Sequence, residues 1–391
     1  MDAPTTGSRR RDALRAFLHD EAVGGLALLL ATVAALVWDN LAPGGYEALW
    51  HTRADVAGLR LDLRHWVNDA LMAIFFFVVG LEIKRELAVG ELRDRRAALL
   101  PVLAAACGVA LPALLFLALN LGTPYAKGWA LPAATDIAFA VGVLALLGAR
   151  VPAGAKLFLL TIAIVDDVLA IAIIALVYST SIALGWLLAA LALLAVVVLL
   201  RRVGVRWIWP YAIVGAAAWV ALHESGVHAT LAGVALGLLT PAGEVGGRAV
   251  LVELERRLHP LSSLAIVPLF ALANAGVVLG GAVLGDALAS RLAWGVVAGL
   301  VVGKALGIGG GTLLALRLRL GVLPRGVERA HVWGVAMLGG IGFTVSLFIA
   351  QLAFADERTV AVAKLGILAG SLISAALGTL TLLRCSRRSR R

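Results

Sequence analysis

Charged and aromatic side chains are scarce in this sequence of 391 residues. Only 15% of the residues are charged and 6% are aromatic, whereas 61% are hydrophobic. A soluble domain averages about 25% charged and about 45–50% apolar residues, so this composition excludes a single soluble core. Long apolar runs recur from near residue 14 to residue 383. The sequence therefore predicts an all-α polytopic membrane protein.

Cysteine and processing signals are also nearly absent. Cys107 lies inside an apolar run and Cys385 lies in the basic tail, so no disulfide is expected. The N-terminal stretch MDAPTTGSRRRDALRAF has no cleavage-site pattern before the first apolar run. That run is interpreted as a retained span and not as a removed signal peptide. Residues 1–391 are expected to form one integral membrane domain.

The apolar runs predict twelve transmembrane helices. They lie at roughly 13–37, 63–83, 97–119, 126–148, 157–178, 182–200, 207–222, 226–240, 260–280, 292–314, 330–354 and 360–383. With residues 1–12 in the cytoplasm, most of the 34 lysines and arginines fall in cytoplasmic segments. This asymmetry is the positive-inside signature, so both termini are predicted to be cytoplasmic, including the basic tail 384–391. It accounts for the net charge of +10 better than nucleic-acid binding does.

The longest polar connection is the first outside loop, from about Asp39 to Asp62. Its segment RADVAGLRLDL alternates apolar and polar positions around Ala57–Gly58, which is typical of a short β-hairpin. Exposed hairpin edges can pair with a second copy of the chain. The region near Ala54–Leu63 is therefore interpreted either as a homodimer contact or as an ordinary surface loop.

Two predicted spans contain helix-breaking residues. The breaks contain Pro132 ahead of Thr135 and Asp136 in the fourth span, and Gly339, Gly340 and Gly342 in the eleventh. Irregular backbone at membrane depth is stable only where it is buried or lines a wet cavity. The third to fifth spans and the tenth to twelfth spans form two three-helix units of opposite orientation on this topology. Paired interrupted spans in such inverted repeats indicate the binding site of a transporter.

Two adjacent aspartates, Asp166 and Asp167, interrupt the apolar fifth span AIVDDVLAI. Each costs about 3 kcal/mol to insert at the bilayer centre, and a span that served only as an anchor would be better built from leucine. Adjacent helical residues differ by about 100° around the axis. One carboxylate can therefore face a water-filled cavity while the other contacts a neighbouring helix.

Lys304 is the only lysine or arginine deep in a predicted span. A salt bridge to one aspartate would favour the charged carboxylate, whereas burial would favour the protonated form of the other, which could then exchange protons near neutral pH. Two structural alternatives stay open: Lys304 forms a purely structural ion pair, and Asp136 only neutralises the positive pole of a broken helix. Carboxylates and hydroxyls suit small hard cations such as Na+ and Li+. Competition between such a cation and a proton for one carboxylate would drive exchange.

Seven blocks in order resemble the NhaA-type Na+/H+ antiporters over nearly the whole chain. They are WVNDALMAIFFFVVGLEIKREL (66–87), ALPAATDIAFA (130–140), AIVDDVLAI (163–171), SGVHATLAG (225–233), LHPLSSLAIVPLFALANAG (258–276), VGKALGI (302–308) and LGGIGFTVSLFIA (338–350). The resemblance implies a twelve-helix antiporter of the bacterial inner membrane whose fourth and eleventh helices unwind and cross. It implies that Asp166 and Asp167 bind the cation and proton transiently. Thr135 and Asp136 would act at the crossing, and Lys304 would pair with Asp166 or compensate the helix ends.

The resemblance also implies a response to pH. Glu82, Glu255 and His259 match family positions at the cytoplasmic mouth, and His228 matches one at the opposite mouth. Arg256 stands where a histidine is common, which bears on the pH set point because arginine does not titrate near neutrality. Dimerisation through the outside hairpin is a further family feature, and no cofactor is implied.

Other functions fit the sequence less well. A cation channel needs a continuous polar pore, and a transporter of organic solutes usually needs more polar contacts than this sequence offers. An intramembrane aspartyl protease needs a Gly-X-Gly-Asp signature, which is absent. A retinal pump has fewer than twelve spans. The sequence thus predicts a transporter, not an enzyme, that exchanges cytoplasmic Na+ or Li+ for external H+ electrogenically.

Overall fold

The structure is a computed structural model, and it describes residues 6–56, 59–179, 182–245 and 247–388. It is built almost entirely from helices. These are α1 Thr6–Leu41, α2 Pro43–Trp50, α3 Leu63–Ala88, α4 Arg95–Asn120, α5 Ile137–Leu147, α6 Ala153–Val177, α7 Leu184–Arg202, α8 Ile208–Glu224, α9 Thr230–Leu239, α10 Val250–Leu261, α11 Val267–Asn274, α12 Gly281–Ala289, α13 Arg291–Arg317, α14 Arg329–Leu338, α15 Phe343–Ala353 and α16 Glu357–Arg388. The outermost parts of the predicted terminal segments, residues 1–5 and 389–391, lie outside the described residues.

The long apolar helices confirm a polytopic membrane protein. Within the described residues, eight helices are long and apolar enough to cross a membrane, or nine if the bent pair α14 and α15 is one span. Large apolar side chains such as Leu146 and Leu176 are more than four-fifths exposed, whereas Asp166 and Lys304 are buried. This pattern is the reverse of that in a soluble protein, and it fits a surface that faces lipid.

The first connection contains the predicted hairpin. Strands β1 Arg53–Val56 and β2 Leu59–Asp62 pair antiparallel, and their turn, residues 57 and 58, lies outside the described residues. The short helix α2 precedes the hairpin and was not predicted. Asp62 then caps α3, because its Oδ1 accepts a hydrogen bond from His65 N at 2.8 Å. The side of the molecule where α3 begins is called the hairpin side below, and the side where α3 ends is called the far side.

Helices α3 and α9 pack closely because three glycines lie between them. A Cβ at Gly80 would lie 2.8 Å from Val234 O, and a Cβ at Gly237 would collide with Phe77 O. A Cβ at Gly233 would collide with the backbone of α3 in the same way. Small residues allow this close approach between helices in a membrane. The contact fixes the far-side end of α3, which carries Glu82.

Both predicted helix breaks are present, and they contact each other. Extended residues 134–136 separate the short turn Leu131–Ala133 from α5. Four residues separate α14 from α15, and the two helices are bent by 44°. Asp136 N donates to Ile341 O at 2.6 Å, which joins the two breaks. The unwound backbone is therefore buried in protein, as membrane depth requires.

The glycines of the second break allow close approach. Gly339 has a φ of −61° and Gly342 has a φ of −97°, so neither adopts a left-handed conformation. A Cβ at Gly342 would lie 2.8 Å from Leu300 Cδ2, and one at Gly340 would collide with Leu300 O. These glycines thus let the break pack against the π-helical turn Gly299–Gly303 of α13.

Candidate functional site

Asp136 lies where the two breaks meet. Its carboxylate caps the helix that follows each break, α5 after the first and α15 after the second. Its Oδ1 accepts from Phe139 N at 2.9 Å, in the first turn of α5. Its Oδ2 accepts from Thr344 N at 3.0 Å and Thr344 Oγ1 at 2.7 Å, in the first turn of α15. A carboxylate is stabilised by the positive pole of a helix N-terminus, and here it serves two helices at once. Asp136 thus makes the contacts of a capping residue at the starts of α5 and α15.

Thr135 and Ser346 bind the exposed carbonyls of the opposite break. Thr135 Oγ1 donates to Gly339 O at 2.7 Å, which satisfies a carbonyl at the C-terminal end of α14. Ser346 Oγ donates to Leu131 O at 2.6 Å from the other break. The orphan carbonyls and N–H groups of the broken helices thus find reciprocal partners. This cross-bracing holds the backbone around Asp136 in one geometry.

The buried charges Asp166 and Lys304 form an ion pair. Lys304 Nζ donates to Asp166 Oδ2 at 2.7 Å, and neither side chain is more than 1% exposed. Lys304 follows the π-helical turn Gly299–Gly303, which lies near the second break. Asp166 Oδ1 is buried and accepts no hydrogen bond from the described residues. The ion pair with Lys304 therefore occupies one oxygen of this carboxylate.

Asp167 faces a pocket that Asp166 does not line. The pocket is lined by α3, α6, α15, the region between α10 and α11, and the first break. Asp167 is 7% exposed, and its carboxylate accepts no hydrogen bond and forms no ion pair in the part of the chain that the structure describes. Asp136 and Thr344 lie on the same wall. A buried carboxylate without a partner among the described residues, facing a mainly apolar pocket that also contains Glu82, Asp136 and His259, can hold either a proton or a cation.

The far-side mouth of the pocket carries three of the predicted pH-response residues. Glu82 and His259 line the pocket, and His259 Nε2 lies 3.9 Å from Glu82 Oε1. Glu255, one turn before His259 on α10, forms an ion pair with Arg85 of α3. Glu255 precedes the predicted ninth span, and burial raises the pKa of its carboxyl group, although Arg85 opposes the shift. Its Oε2 is buried without a hydrogen-bond partner.

His228 lies apart from this mouth, towards the hairpin side. Its Nε2 lies 2.8 Å from Tyr178 O, just beyond the end of α6. Asp69 and His223 lie on the same side, with 3.7 Å between Asp69 Oδ2 and His223 Nδ1. Three of the four residues predicted to respond to pH thus lie together at the far-side mouth, and His228 lies towards the hairpin side.

Two layers of side chains join α3, α11 and α15 on the hairpin side of the pocket. The first is aromatic: Phe348 packs against Phe76 and Phe270 with ring centroids 5.8 Å and 6.3 Å apart. The second is a triad of amides. Its members are Asn68, Asn274 and Gln351. Helices α3, α11 and α15 each contribute one side chain to each layer, so the two layers link the same three helices.

The amide triad is fully hydrogen bonded. Asn68 Nδ2 donates to Gln351 Oε1 at 2.5 Å, and Asn274 Nδ2 donates to Asn68 Oδ1 at 2.7 Å. Gln351 Nε2 donates to Asn274 Oδ1 and completes the ring. Asn274 Nδ2 also donates to Phe270 O at 2.9 Å, so the triad joins three helices through neutral groups and is anchored to the backbone of α11.

Comparison with known proteins decides the family. The sequence matches the Na+/H+ antiporter 1 family over residues 15–382. The chain belongs to this family. It is 48% identical to the Na+/H+ antiporter NhaA 1 of Erythrobacter litoralis, over 93% of this chain and 90% of the relative. It is 47% identical to the Na+/H+ antiporter NhaA of Bordetella parapertussis, over 96% and 97%. It is also 47% identical to the Na+/H+ antiporter NhaA 2 of Pseudomonas syringae, over 99% and 100%.

The NhaA resemblance drawn from the sequence is therefore confirmed. The antiporter fold brings the predicted residues into three groups. Thr135, Asp136, Gly339, Gly340 and Gly342 meet at the crossed breaks, Asp166 pairs with Lys304, and Asp167 lies at the pocket with Glu82 and His259 near its mouth.

Sequence reasoning missed several residues of the site. Arg85 follows Glu82 by three positions on α3, a helical spacing that would have placed it at the same mouth. Thr344 directly follows the Gly-Phe of the second break, where a capping contact is expected. Ser262 and Ser263 line the pocket, and their only sequence signal is two adjacent hydroxyls at the start of an apolar run.

Proposed function

We propose that Asp167 is the carboxylate for which Na+ and H+ compete in this antiporter, with Asp166 as the second titrating group. The chain exchanges Na+ for H+, as its family membership and relatives at about 47% identity support. One observation carries the assignment. Asp167 is a buried carboxylate without a partner at a pocket with an acidic mouth, beside a buried ion pair.

The chemistry follows from competition for oxygen atoms. Na+ and Li+ are hard cations that prefer carboxylate, hydroxyl and carbonyl oxygens. When either cation reaches Asp167, it favours the charged carboxylate and displaces any proton there. When a proton binds instead, the carboxyl group becomes neutral and the cation is released. Because one group cannot hold both, cation and proton cross the membrane on opposite half-cycles.

The Lys304–Asp166 pair gives the second titrating group. Protonation of Asp166 would remove the charge that holds Lys304, whereas the charged pair restores the 2.7 Å contact. If both aspartates are protonated on one half-cycle and one Na+ is carried on the other, net charge crosses the membrane. The exchange is therefore electrogenic, with Na+ or Li+ leaving the cell and H+ entering.

The architecture is proposed to contain twelve spans in inverted repeats. Nine spans come from the long helices and the bent pair, and α8, α9 and the stretch from the end of α10 through α11 supply three more at the remaining predicted positions. The two broken spans occupy corresponding positions in two oppositely oriented three-helix units, as in transporters that alternate access at a fixed site. The protein is proposed to lie in a bacterial inner membrane with both termini and the far side facing the cytoplasm, which the lysine and arginine distribution supports.

Regulation by pH is proposed to act at the far-side mouth. Glu82, His259 and Glu255 lie within one cluster there, so proton uptake changes the charge that an incoming cation meets. His228 is proposed to act at the hairpin side. The antiporter would in this way regulate intracellular pH and sodium. The hairpin β1–β2 is proposed to form the contact of a homodimer, because its strand edges remain available for pairing.

Proton flux in everted membrane vesicles tests this function. The host lacks its own antiporters, and a pH-gradient dye reports dequenching after NaCl, LiCl, KCl or choline chloride is added between about pH 6.5 and 8.5. We expect Na+ and Li+ alone to collapse the gradient, and Asp167→Asn to abolish the response. Asp55→Asn, which changes an exposed hairpin carboxylate, is the matched control and retains it. A response to K+ equal to that for Na+, or full activity of Asp167→Asn, would refute the proposal.

A further inference from the structure

Two neighbouring serines, Ser262 and Ser263, line the pocket on the turn between α10 and α11. They are 4% and 7% exposed, so each is more than nine-tenths buried. Neither hydroxyl has a hydrogen-bond partner among the described residues. The side-chain atoms of the described residues that are both completely buried and unpaired do not include these two oxygens. Each oxygen therefore keeps some accessible surface. Both oxygens are thus buried, without a partner and in contact with the pocket space.

Several other buried or half-buried hydroxyls on helices of this chain do form hydrogen bonds. Thr161 Oγ1 donates to Leu157 O at 2.9 Å, and Thr312 Oγ1 donates to Ile308 O at 2.6 Å. Such bonds to the carbonyl four residues earlier are the ordinary way for a helical hydroxyl to be satisfied in an apolar setting. The hydroxyls of Ser262 and Ser263 do not use this option.

The local backbone explains why the serines remain free. Residues Ser262–Ile266 form a π-helical turn, which widens the helix and shifts its hydrogen-bond register by one residue. On the opposite side, α1 presses against the turn at Gly24, where a Cβ would lie 3.1 Å from Ser263 Cβ. Ser263 Oγ lies 3.6 Å from the same Cβ position, so this hydroxyl lies where α1 meets the pocket lining. Widened turns of this kind occur frequently at functional sites.

The two serines lie between the far-side mouth of the pocket and Asp167. They follow His259 by three and four residues, so they lie about one helical turn deeper than the mouth. Asp167 lies on the same pocket from the side of α6. The other two hydroxyls on this wall already donate their protons, Thr135 to Gly339 O and Thr344 to Asp136. Ser262 and Ser263 therefore offer uncommitted oxygen ligands between the acidic mouth and Asp167.

We propose that the hydroxyl oxygens of Ser262 and Ser263 bind the partly dehydrated Na+ or Li+ on its way between the mouth and Asp167. The proposal rests on the Na+/H+ exchange argued above and adds a second cation-binding position to it. Hard cations accept hydroxyl oxygens as ligands, and neutral ligands of this kind release the ion readily to a carboxylate. Because a hydroxyl does not titrate near neutral pH, this position affects cation affinity and leaves the pH profile at saturating Na+ unchanged.

Transport kinetics of Ser262→Ala/Ser263→Ala in everted vesicles test the proposal. We expect the apparent KM for Na+ to rise about fivefold, which corresponds to the loss of about one hydrogen-bond-strength interaction. The rate and the pH profile at saturating Na+ should stay as in the wild type. Ser179→Ala is the matched control, since its hydroxyl donates to Ala175 O outside the pocket. It should leave the KM unchanged.

Ser262→Thr separates ligation from packing. It keeps a hydroxyl at the same place and should retain the wild-type KM, whereas Ser262→Ala should raise it. An equal loss in both variants would assign the effect to packing and overturn the proposal. If the double variant does not fold, as judged by gel filtration in detergent, Ser262→Ala and Ser262→Thr alone decide the matter.

Two negative outcomes have different meanings. Wild-type vesicles without any Na+-dependent proton flux would refute the exchange function itself. Wild-type exchange with an unchanged KM in Ser262→Ala/Ser263→Ala would refute only the serine position. Calorimetric titration of the purified protein with LiCl provides a second readout, in which the double variant should bind Li+ about fivefold more weakly.

Discussion

Lys304 contacts Asp166 and not Asp167, although the two aspartates are adjacent. The 2.7 Å contact joins two helices and occupies one carboxylate, which leaves the other open to the pocket. Because adjacent helical positions point about 100° apart, α6 can present one carboxylate to a partner helix and the other to a cavity. The structure thus gives two chemically identical side chains different surroundings.

The first prediction concerns the energetics of this pair. Lys304→Ala leaves Asp166 buried without its partner, so we expect the protein in detergent to lose about 3–5 kcal/mol of stability. Asp166→Asn/Lys304→Gln replaces the ion pair with two neutral groups and should recover much of that loss. Thermal unfolding of the purified variants measures both effects. A double variant no more stable than Lys304→Ala would contradict a paired role.

The second prediction concerns the helix caps at the crossed breaks. Asp136→Ala removes three accepted hydrogen bonds, two of them from Thr344, and should lower the free energy of unfolding by about 1–3 kcal/mol. Asp136→Asn keeps a capping oxygen and should lose less stability than the alanine variant. Thermal unfolding combined with vesicle transport tests this order. If both variants were as stable as the wild type and only transport failed, Asp136 would be a ligand and not a cap.

The third prediction concerns the closed hairpin side. Gln351→Leu breaks the amide triad and leaves Asn68 and Asn274 partly unpaired, which should weaken the seal between α3, α11 and α15. Val345→Cys places a thiol in the pocket lining, and this thiol should then react faster with an impermeant reagent added from the hairpin side, in a background without Cys107 and Cys385.

The control for that experiment is another buried amide on a different pair of helices. Asn120→Ala removes an amide that bonds Phe116 O and Arg291 O, away from the three sealing helices. It should not change the labelling rate. Equal acceleration in both variants would mean that general loosening, and not the triad, controls access.

The fourth prediction concerns the pH dependence of Glu255. Burial raises the pKa of its carboxyl group, with Arg85 opposing the shift. The folded state therefore holds this proton more tightly than the unfolded chain does, and the resulting stability is present at low pH and lost as pH rises through the folded-state pKa. The side chain in Glu255→Gln is neutral at every pH, so this variant should not lose that stability as pH rises.

Unfolding temperatures measured between about pH 4 and pH 8 check the sign of the Glu255 effect. Below the pKa of an ordinary glutamate the two proteins should behave alike, and at higher pH the wild type should lose stability relative to Glu255→Gln. The exchange profile should diverge over the same pH range, because only the wild type forms the charged pair with Arg85. A difference that is constant across the whole range would exclude titration of Glu255.

Much of this architecture could be read from the sequence because membrane insertion imposes strong local rules. Each predicted span overlaps a helix, and Pro132 and the glycines around Gly340 marked both breaks. The hairpin also followed from local alternation. Helix α2 did not, because its eight residues have no apolar run long enough to distinguish a helix from a loop.

The contacts between residues far apart in the sequence could not be predicted in this way. Lys304 lies 138 positions from Asp166, and its choice between two adjacent aspartates depends on the rotation of α6 within the bundle. The double cap of Asp136 depends on contact with Thr344, 208 positions away. The π-helical turn that frees Ser262 is a register shift of one residue, and no periodicity of apolar side chains reveals it.

The most direct test of the central claim is proton release from the purified protein when Na+ is added. In weakly buffered detergent solution near neutral pH, NaCl or LiCl should release protons from the wild type, because the cation displaces the proton from Asp167. Choline chloride should release none, and Asp167→Asn should release fewer protons or none with any salt. Saturable Na+ binding without proton release, or equal release from Asp167→Asn, would contradict competition at this carboxylate.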